Sequence, residues 1–256
     1  MEYFTINKLH DWLYSIYDPR GSYCYLALGN EKALLFDAGY GIASLHNAIQ
    51  SVTDKPVIIV LGHGHVDHVN GAYQFEEVWL HEADIDLFRE HSSIEWRRRM
   101  AHEEGIKPED FNPDDYIHAP APTIRHLKAG QVFDLGGLHM DVIDMAGHTP
   151  GSVGLLAREH QVLLDSDSAN NHIWMHLPNS LPISQYIAML EHVLTLDFDI
   201  FYTGHSNEPQ PKSELQKYIQ VARNASIEKA KPYAMFDGLI YQEDNIAIVF
   251  NKDTLC

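Results

Sequence analysis

Three histidines and one aspartate stand within residues 63–68, in the run His63-Gly64-His65-Val66-Asp67-His68. The run follows five apolar residues, 57–61, a pattern that is typical of a buried strand. A strand that ends in this way delivers several imidazole and carboxylate groups to one point, and such groups are good ligands for zinc, iron or manganese. Structural proteins rarely need this arrangement, so the spacing favours a metal-dependent hydrolase.

Further candidate ligands follow other apolar runs. His148 lies in a loop rich in glycine and proline, and His205 directly follows an apolar run and a glycine. Asp165 and Asp167 both come after a third apolar run, so either carboxylate could join the site. The flanking glycines let the backbone approach closely at a crowded site. We expect rigid strands to hold these loops while they converge.

Strands and helices alternate along the chain. Apolar runs and alternation predict strands at 23–28, 33–36, 56–60, 78–80, 123–127, 131–135, 138–143, 152–157, 161–164, 200–203, near 240 and at 246–250. Helical spacing predicts helices at 42–52, 83–100, 183–194 and 213–229. No linker or low-complexity segment interrupts the pattern, so we expect a single domain over residues 1–256.

Composition limits the class of partner. Of the 256 residues 45% are hydrophobic, which is enough for one sizeable core, and the formal net charge is −18. A chain of this charge repels phosphate backbones, so nucleic acid is not an expected partner. No run of 18 apolar residues occurs, so a membrane span is not expected. The expected partner is a small-molecule substrate, and a homo-oligomer stays open.

The cysteine usage points to a reducing compartment. Cys24 and Cys256 are the only cysteines, so a disulfide framework is not expected. The first residues lack the basic-then-apolar pattern of a secretory signal. A cytoplasmic location is therefore the expectation. The 17 histidines nearly equal the 18 lysines and arginines, and we expect some of them to be ligands.

The order of these residues resembles the metallo-β-lactamase-fold hydrolases over nearly the whole chain. Five short pieces stand in that family's order: Asp37 in residues 35–39, the run 63–68, His148 in residues 147–152, Asp167, and Gly204-His205. All five in order make a specific signal, although Asp37-Ala38-Gly39 could also merely form a turn. The resemblance implies an α/β (α+β) fold, a four-layer αββα sandwich of two mixed β-sheets with helices outside.

The resemblance also implies two divalent metal ions, with zinc expected and iron or manganese as alternatives. The first ion would be held by His63, His65 and His148. The second ion would be held by Asp67, His68 and His205. Asp167 would bridge the two ions, and Asp37 would orient the ligands through hydrogen bonds.

A metal pair implies a hydrolytic reaction without a covalent nucleophile. Two metals can share a water, bring its pKa toward about 7 and yield a hydroxide that attacks a carbonyl or phosphoryl centre. Asp67 would be the catalytic residue, because it can also orient that nucleophile. We expect the substrate to be an ester, a thioester or a lactone. Alternatives within the fold are a mononuclear-iron sulfur dioxygenase, a phosphodiesterase and a β-lactam hydrolase. A non-enzymatic alternative is a binding module that the metal stabilises.

An aspartate at position 167 favours the glyoxalase II-like branch of the family. The branch usually has glycine before this aspartate, where this chain has Ser166, and its lactonases have tyrosine where this chain has Asn170. The C-terminal part lacks the basic helical region of glyoxalase II itself. The branch is therefore expected, but not that particular activity.

Two segments are candidates for substrate contacts. Residues 82–122 contain four prolines and a predicted helix, and are expected to form a cap insertion or a helix packed on the sheet edge. Arg97, Arg98 and Arg99 within it are either an anion-attracting patch or a solvated face. Residues 170–182 form a candidate pocket wall. His172 and His176 in this segment are interpreted as surface or core histidines in preference to pocket residues.

Overall fold

Three β-sheets form the framework of the protein, which a computed structural model describes over residues 3–255. The strands are β1 (Thr5–His10), β2 (Leu13–Asp18), β3 (Ser22–Leu28), β4 (Ala33–Phe36), β5 (Val57–Val60), β6 (Glu77–His81), β7 (Thr123–Leu127), β8 (Val132–Asp134), β9 (His139–Asp144), β10 (Val153–Ala157), β11 (Val162–Ser166), β12 (His172–Met175), β13 (Ile200–Thr203), β14 (Ser206–Pro211), β15 (Lys231–Pro232), β16 (Leu239–Glu243) and β17 (Ile246–Phe250). The α-helices are α1 (Leu45–Gln50), α2 (Val66–Val69), α3 (Ile85–His91), α4 (Ile94–His102), α5 (Pro113–His118), α6 (Ile183–Val193) and α7 (Glu214–Asn224). Cys256 lies outside the described residues.

The first sheet has seven strands in the order β1-β2-β3-β4-β5-β6-β7. Its first four strands pair antiparallel, and β4, β5, β6 and β7 pair parallel. Parallel strands need crossover connections, and the helices α1 to α5 lie in these connections. The carboxyl ends of β4, β5 and β6 therefore meet at one edge of this sheet.

The second sheet has six strands in the order β14-β13-β11-β10-β9-β8. Only β11 and β13 pair parallel, so their carboxyl ends also lie at one edge. Both β10 and β11 are buried along their whole length, which explains the apolar residues at 153–157 and 162–164.

The main core lies between these two sheets. Phe36 and Val60 of the first sheet share one apolar cluster with Leu155 and Leu164 of the second. Helix α1 covers the outer face of the first sheet, and α6 and α7 cover the outer face of the second. The predicted αββα sandwich is confirmed, because amphipathic helices bury their apolar stripes on both outer faces.

A small third sheet has the order β12-β17-β16-β15. Its strand β12 pairs parallel with β17, from Ile173 opposite Ile248 to Met175 opposite Phe250. These four side chains are buried in the cluster that contains α6 and α7. The segment 170–182, expected to be a candidate pocket wall, thus contributes a strand beside the second sheet.

Several secondary-structure predictions were wrong in detail, and the helix expected over 213–229 ends at Asn224. The single helix expected over 83–100 is two helices, α3 and α4, which separate at Ser92 and Ser93. Ser92 Oγ donates to the carbonyl oxygen of Phe88, and Ser93 Oγ accepts from Trp96 N, so the serines end one helix and cap the next. The strands not predicted are β1, β2, β12, β14 and β15. Of these, β1 is a partly exposed edge strand without a clear alternation.

The segment 82–122 packs beside the first sheet through α3, α4 and α5. Arg97 neither attracts an anion nor faces solvent: its buried guanidinium donates to the carbonyl oxygens of Ser92 and Ala119, both at 2.7 Å. Arg97 therefore joins α4 to the end of α5. Within residues 3–255, no helix has the length and apolar character needed to cross a bilayer.

Candidate metal centre

The candidate ligands come from loops at the carboxyl ends of strands in both large sheets. In the first sheet, Asp37 follows β4, and residues 63–68 follow β5. In the second sheet, Asp167 follows β11, and His205 follows β13. His148 lies in the loop between β9 and β10. The site therefore lies on the line where the two sheets meet, and each sheet supplies part of it.

One group of ligands consists of His63, His65 and His148, all of them buried. Their ligand atoms lie within 4.8 Å of one another, and His148 Nε2 lies 2.9 Å from His65 Nδ1. We call this set the three-histidine group. Burial lowers the pKa of His63 and His65 well below the usual range, so both rings stay neutral and keep a lone pair for a cation.

The second group consists of Asp67, His68, Asp167 and His205. His68 Nε2 lies 3.3 Å from Asp67 Oδ2 and 3.3 Å from Asp167 Oδ1, and His205 Nε2 lies 3.1 Å from Asp167 Oδ2. We call this set the carboxylate group. It is the more open of the two, because His205 is partly exposed.

Asp167 lies between the two groups. Its Oδ2 atom is 4.0 Å from His63 Nε2 and 3.8 Å from His148 Nε2, in addition to its contact with His205. One carboxylate oxygen thus approaches ligands of both groups, as a bridging ligand would.

The charges of the carboxylate group act on each other. Although burial alone would lower the pKa of His68, the negative charges of Asp67 and Asp167 raise it well above the usual range. The Asp167 carboxylate raises the pKa of His205 to about 9. The histidine charges in turn hold the pKa of Asp67 and of Asp167 below the usual range, against the effect of burial. Without a cation, this group is therefore a network of ion pairs.

Each of four histidine ligands is fixed through its Nδ1 atom. His148 Nδ1 donates to the carbonyl oxygen of Trp174 at 2.7 Å, and His205 Nδ1 donates to that of Gly21 at 2.8 Å. His68 Nδ1 lies 2.9 Å from Asp37 Oδ2, and His63 Nδ1 lies 3.2 Å from Ser166 Oγ. Fixing one ring nitrogen in this way leaves Nε2 directed at the centre of the site.

Asp37 lies behind the ligands and holds two loops together. Its Oδ1 atom accepts from Gly62 N at 2.7 Å, and its Oδ2 atom accepts from Ser166 Oγ at 2.8 Å as well as contacting His68. Both Asp37 and Ser166 have positive φ angles, 65° and 61°. A positive φ explains why glycine suits position 166, and the serine that replaces it adds a hydrogen bond.

The atoms of the site fit a metal cation. His63 Nε2, His68 Nε2 and Asp167 Oδ1 are buried and have no hydrogen-bond partner. Buried polar atoms of native proteins almost always have a partner, so these three point to a ligand that the protein atoms do not supply. Neutral imidazole and carboxylate are the donor set of zinc, iron and manganese.

The structure brings together all seven of the expected ligands, and the rival carboxylate lies apart. Asp165 belongs to neither group, accepts a hydrogen bond from Ala169 N at 2.6 Å, and is buried. Burial raises the pKa of Asp165 to about 8. Cys24 is buried in the core.

Asp84 is a residue of the site that sequence reasoning missed. Its buried carboxylate accepts from Gly64 N at 2.8 Å, Thr149 Oγ1 at 2.7 Å and Gly151 N at 2.7 Å. It therefore joins the loop of His63 and His65 to the loop of His148. A signal did exist, because Asp84 closely follows a predicted parallel strand at the same edge as the ligands.

His91 of α3 is a second missed residue. Its ring stacks on His65 at a centroid distance of 5.2 Å, and its Nδ1 atom accepts from Val66 N at 3.1 Å. The segment 82–122 thus contacts the three-histidine group directly.

Comparison with known proteins identifies relatives of this arrangement. The family model of the metallo-beta-lactamase superfamily matches residues 17–205. The chicken acyl-coenzyme A thioesterase MBLAC2 is 26% identical over 186 residues, which cover 67% of this chain and 66% of that protein. The hydroxyacylglutathione hydrolase GloC of Haemophilus influenzae is 29% identical over 152 residues, covering 56% of this chain and 65% of that protein. The matched region thus spans just under two thirds of each relative.

A solved structure supports the same architecture. The metallo-beta-lactamase from Pontibacter korlensis superposes with a TM-score of 0.65 and 14% identity, over 87% of this chain and 100% of that chain. At this identity the likeness concerns the fold alone.

Proposed function

Because the chain belongs to the metallo-beta-lactamase superfamily, we propose that it is a binuclear metal-dependent hydrolase of thioesters. The observation that carries the binuclear part is the position of Asp167, whose Oδ2 atom lies 3.1 to 4.0 Å from His205, His148 and His63. A carboxylate shared by two ligand groups suits two ions better than one.

The thioester part rests on the relatives. One of them is named an acyl-coenzyme A thioesterase and another a hydroxyacylglutathione hydrolase. We extend the thioester class to this chain because it has the full set of seven candidate ligands. Esters and lactones remain within the same chemistry, since their carbonyl carbon is attacked in the same way.

Two divalent ions, when bound, would supply Lewis acidity and a water of lowered pKa, with zinc as the expected metal. The three-histidine group and the carboxylate group would hold one ion each, with Asp167 contributing to both. Asp37 and the four Nδ1 contacts described above keep the imidazoles oriented. The Asp67 carboxylate is only partly buried, so its Oδ2 atom can accept a hydrogen bond from the attacking water and orient it.

Direct attack by water agrees with the side chains of the site. Burial raises the pKa of the Cys24 thiol well above its usual range, so Cys24 is no nucleophile. Ser166 Oγ is buried and bonded to Asp37. Neither group is available to form a covalent intermediate.

We further propose that residues 1–256 act as one domain in which the segment 82–122 forms a cap over the metals. The contacts of His91 with His65 and Val66 support this, as does the packing of Trp96 on His91 at a centroid distance of 4.6 Å. A cap at this position would limit access to the three-histidine group and so select substrates.

Metal content and a substrate panel test the proposal together. We expect about two metal ions per chain in the purified protein. We also expect turnover of thioesters in preference to phosphodiesters and β-lactams. Asp67→Ala should lower kcat by about a hundredfold or more, as the loss of an orienting base does.

Two results would count against the proposal. One iron per chain, together with oxygen consumption on a persulfide substrate, would indicate a sulfur dioxygenase instead. A metal-loaded protein without activity on any ester, thioester, lactone or phosphodiester would indicate a binding module.

A further inference from the structure

One face of the third sheet carries a cluster of aromatic and apolar side chains. The cluster comes from β12, from the residue that follows it, and from the loop between β15 and β16. We call it the aromatic face, and it consists of His172, Trp174, His176, Tyr233, Met235 and Phe236.

The pleat of β12 separates this face from the core. Ile173 and Met175 are fully buried against α6 and α7. Successive side chains of a strand point to opposite sides, so His172 and Trp174 point away from that core. Both are more exposed than their buried neighbours in the strand.

The loop side chains lie across the strand side chains. Trp174 contacts Phe236 at a centroid distance of 5.2 Å, and His176 contacts Tyr233 at 5.9 Å. Phe236 is 47% exposed and Met235 is 69% exposed. Exposed apolar side chains that adjoin one another are typical of a binding surface.

The aromatic face adjoins the candidate metal centre at two points. The carbonyl oxygen of Trp174 accepts the 2.7 Å hydrogen bond from His148 Nδ1. At its other end, His172 lines a cavity of about 230 Å³ together with the ligand His205. A molecule that reaches the ligands can therefore also contact the aromatic face.

The chemistry of the face excludes a charged ligand group. Neither histidine of the face is charged at neutral pH, since burial lowers the pKa of both His172 and His176. The ring of His176 packs against the rings of Trp174, Tyr233 and Phe236, so it extends the same aromatic surface. The cavity beside His205 differs, because hydroxyl and amide groups such as those of Thr203 and Gln210 line it.

From this contrast we propose that the aromatic face binds the hydrocarbon chain of the substrate's acyl group. The thioester carbonyl then lies at the metal ligands, and the polar cavity is left for the thiol leaving group. This inference rests on the proposed thioesterase function and adds the substrate class, a medium-length or long acyl chain. Trp174 and Phe236 are the specificity-determining residues, because their rings lie 5.2 Å apart and the backbone of Trp174 contacts the ligand His148.

A series of thioesters with one thiol and acyl chains from two to twelve carbons tests the inference. We expect the wild-type kcat/KM to rise with chain length. Phe236→Ala should lower kcat/KM for the longest chain about tenfold, which is the scale of losing one apolar ring contact. The acetyl thioester should change by less than about twofold, since an acetyl group is too short to reach the ring.

A matched control uses an apolar residue of similar exposure elsewhere. Ile227, 45% exposed, lies outside the aromatic face, and Ile227→Ala should leave the chain-length dependence unchanged. Met235→Ser gives a second variant in the loop, with an expected effect in the same direction as Phe236→Ala.

Binding of dodecanoate, measured by calorimetry, separates this inference from the proposed function. We expect Phe236→Ala to weaken dodecanoate binding about tenfold, in metal-loaded and metal-free protein alike. If the wild-type protein binds dodecanoate in this way but hydrolyses no thioester, the proposed function is refuted. The assignment of the aromatic face as a binding site for a hydrocarbon chain is then retained.

Other outcomes overturn the inference itself. Equal chain-length dependence in wild type and Phe236→Ala, with equal dodecanoate binding, would show that the face does not hold the chain. A shift of Phe236→Ala from dimer to monomer in size-exclusion chromatography, without a change in dodecanoate binding, would assign the face to a second copy of the protein.

Discussion

The three-histidine group and the carboxylate group lie side by side but prepare for a cation in opposite ways. The first is buried and holds His63 and His65 neutral, because burial lowers their pKa. In the second, carboxylates raise the pKa of His68 and His205, so both rings hold protons that a metal must displace. Burial alone therefore keeps the three-histidine group ready for a cation. In the carboxylate group, opposite charges stabilise the protonated rings until a metal replaces the protons.

Replacing the carboxylate that both groups share should have the largest effect. Asp167→Asn removes a charge that approaches both groups, and we expect kcat/KM to fall about a thousandfold, because metal sites stabilise the transition state by several kcal/mol. Metal content should fall from about two ions per chain to about one. Both are measured on the purified variant, by thioester hydrolysis and elemental analysis.

Asp165→Asn is the matched control for that experiment. Asp165 lies two residues from Asp167 and is fully buried, and its pKa of about 8 means that it is mostly protonated at pH 7, which an asparagine imitates. The control should keep both metals. An equal loss in the two variants would mean that the region is merely sensitive to substitution.

Asp37→Asn should weaken the carboxylate group selectively. The change alters the contact with His68 Nδ1, and the loss of such an orienting contact typically costs ten- to hundredfold in metal affinity. Competition with a chelator should show one weakened ion and one unchanged ion. Equal weakening of both ions would contradict the division into two groups.

Asp84→Ala should have the converse effect on the three-histidine group. It leaves Gly64 N and Gly151 N without their acceptor, and each unsatisfied buried group costs about 1–3 kcal/mol. We expect a lower Tm, and a metal affinity of that group reduced about tenfold or more. The test is calorimetric unfolding with and without metal, and a variant that loses the carboxylate-group ion first would refute it.

The pH dependence of metal binding should also separate the groups. His205 and His68 have raised pKa values, so both rings are already protonated at pH 7. Acidification toward pH 6 adds no proton to them, but the higher proton concentration makes their protons harder for a metal to displace. Each proton displaced costs roughly tenfold in affinity per pH unit, so the carboxylate group should lose its ion first as pH falls from 8 to 6. Titrations at several pH values that show parallel loss from both groups would contradict this.

The smallest effect is expected for Ser166→Gly. The glycine relieves a positive φ of 61°, which costs about 1–3 kcal/mol, but loses the hydroxyl contacts with Asp37 and His63, worth about 1 kcal/mol each. The two nearly cancel, so Tm and metal content should stay close to those of the wild type. A large loss of metal would contradict this balance and would mean that the contact between the hydroxyl and His63 outweighs the relief of the backbone.

The ligands could be predicted from the sequence because each follows a short apolar strand and the order of the pieces is distinctive. Asp84 had only a weaker signal, its place shortly after the strand predicted at 78–80, because no motif surrounds it and its role depends on how β6 joins the parallel sheet. The break between α3 and α4 was hidden by continuous helical spacing. The aromatic face depends on the pairing of β12 with β17, and local patterns carry no information on such distant pairing.

That pairing has a consequence for the newly synthesised chain. Strand β17 begins about seventy residues after β12 ends, which corresponds to about 4 to 14 seconds of translation. All seven candidate ligands precede residue 206 and leave the ribosome before β17 does. During synthesis, all seven candidate ligands have therefore been translated before β12 gains the partner strand that supports the aromatic face.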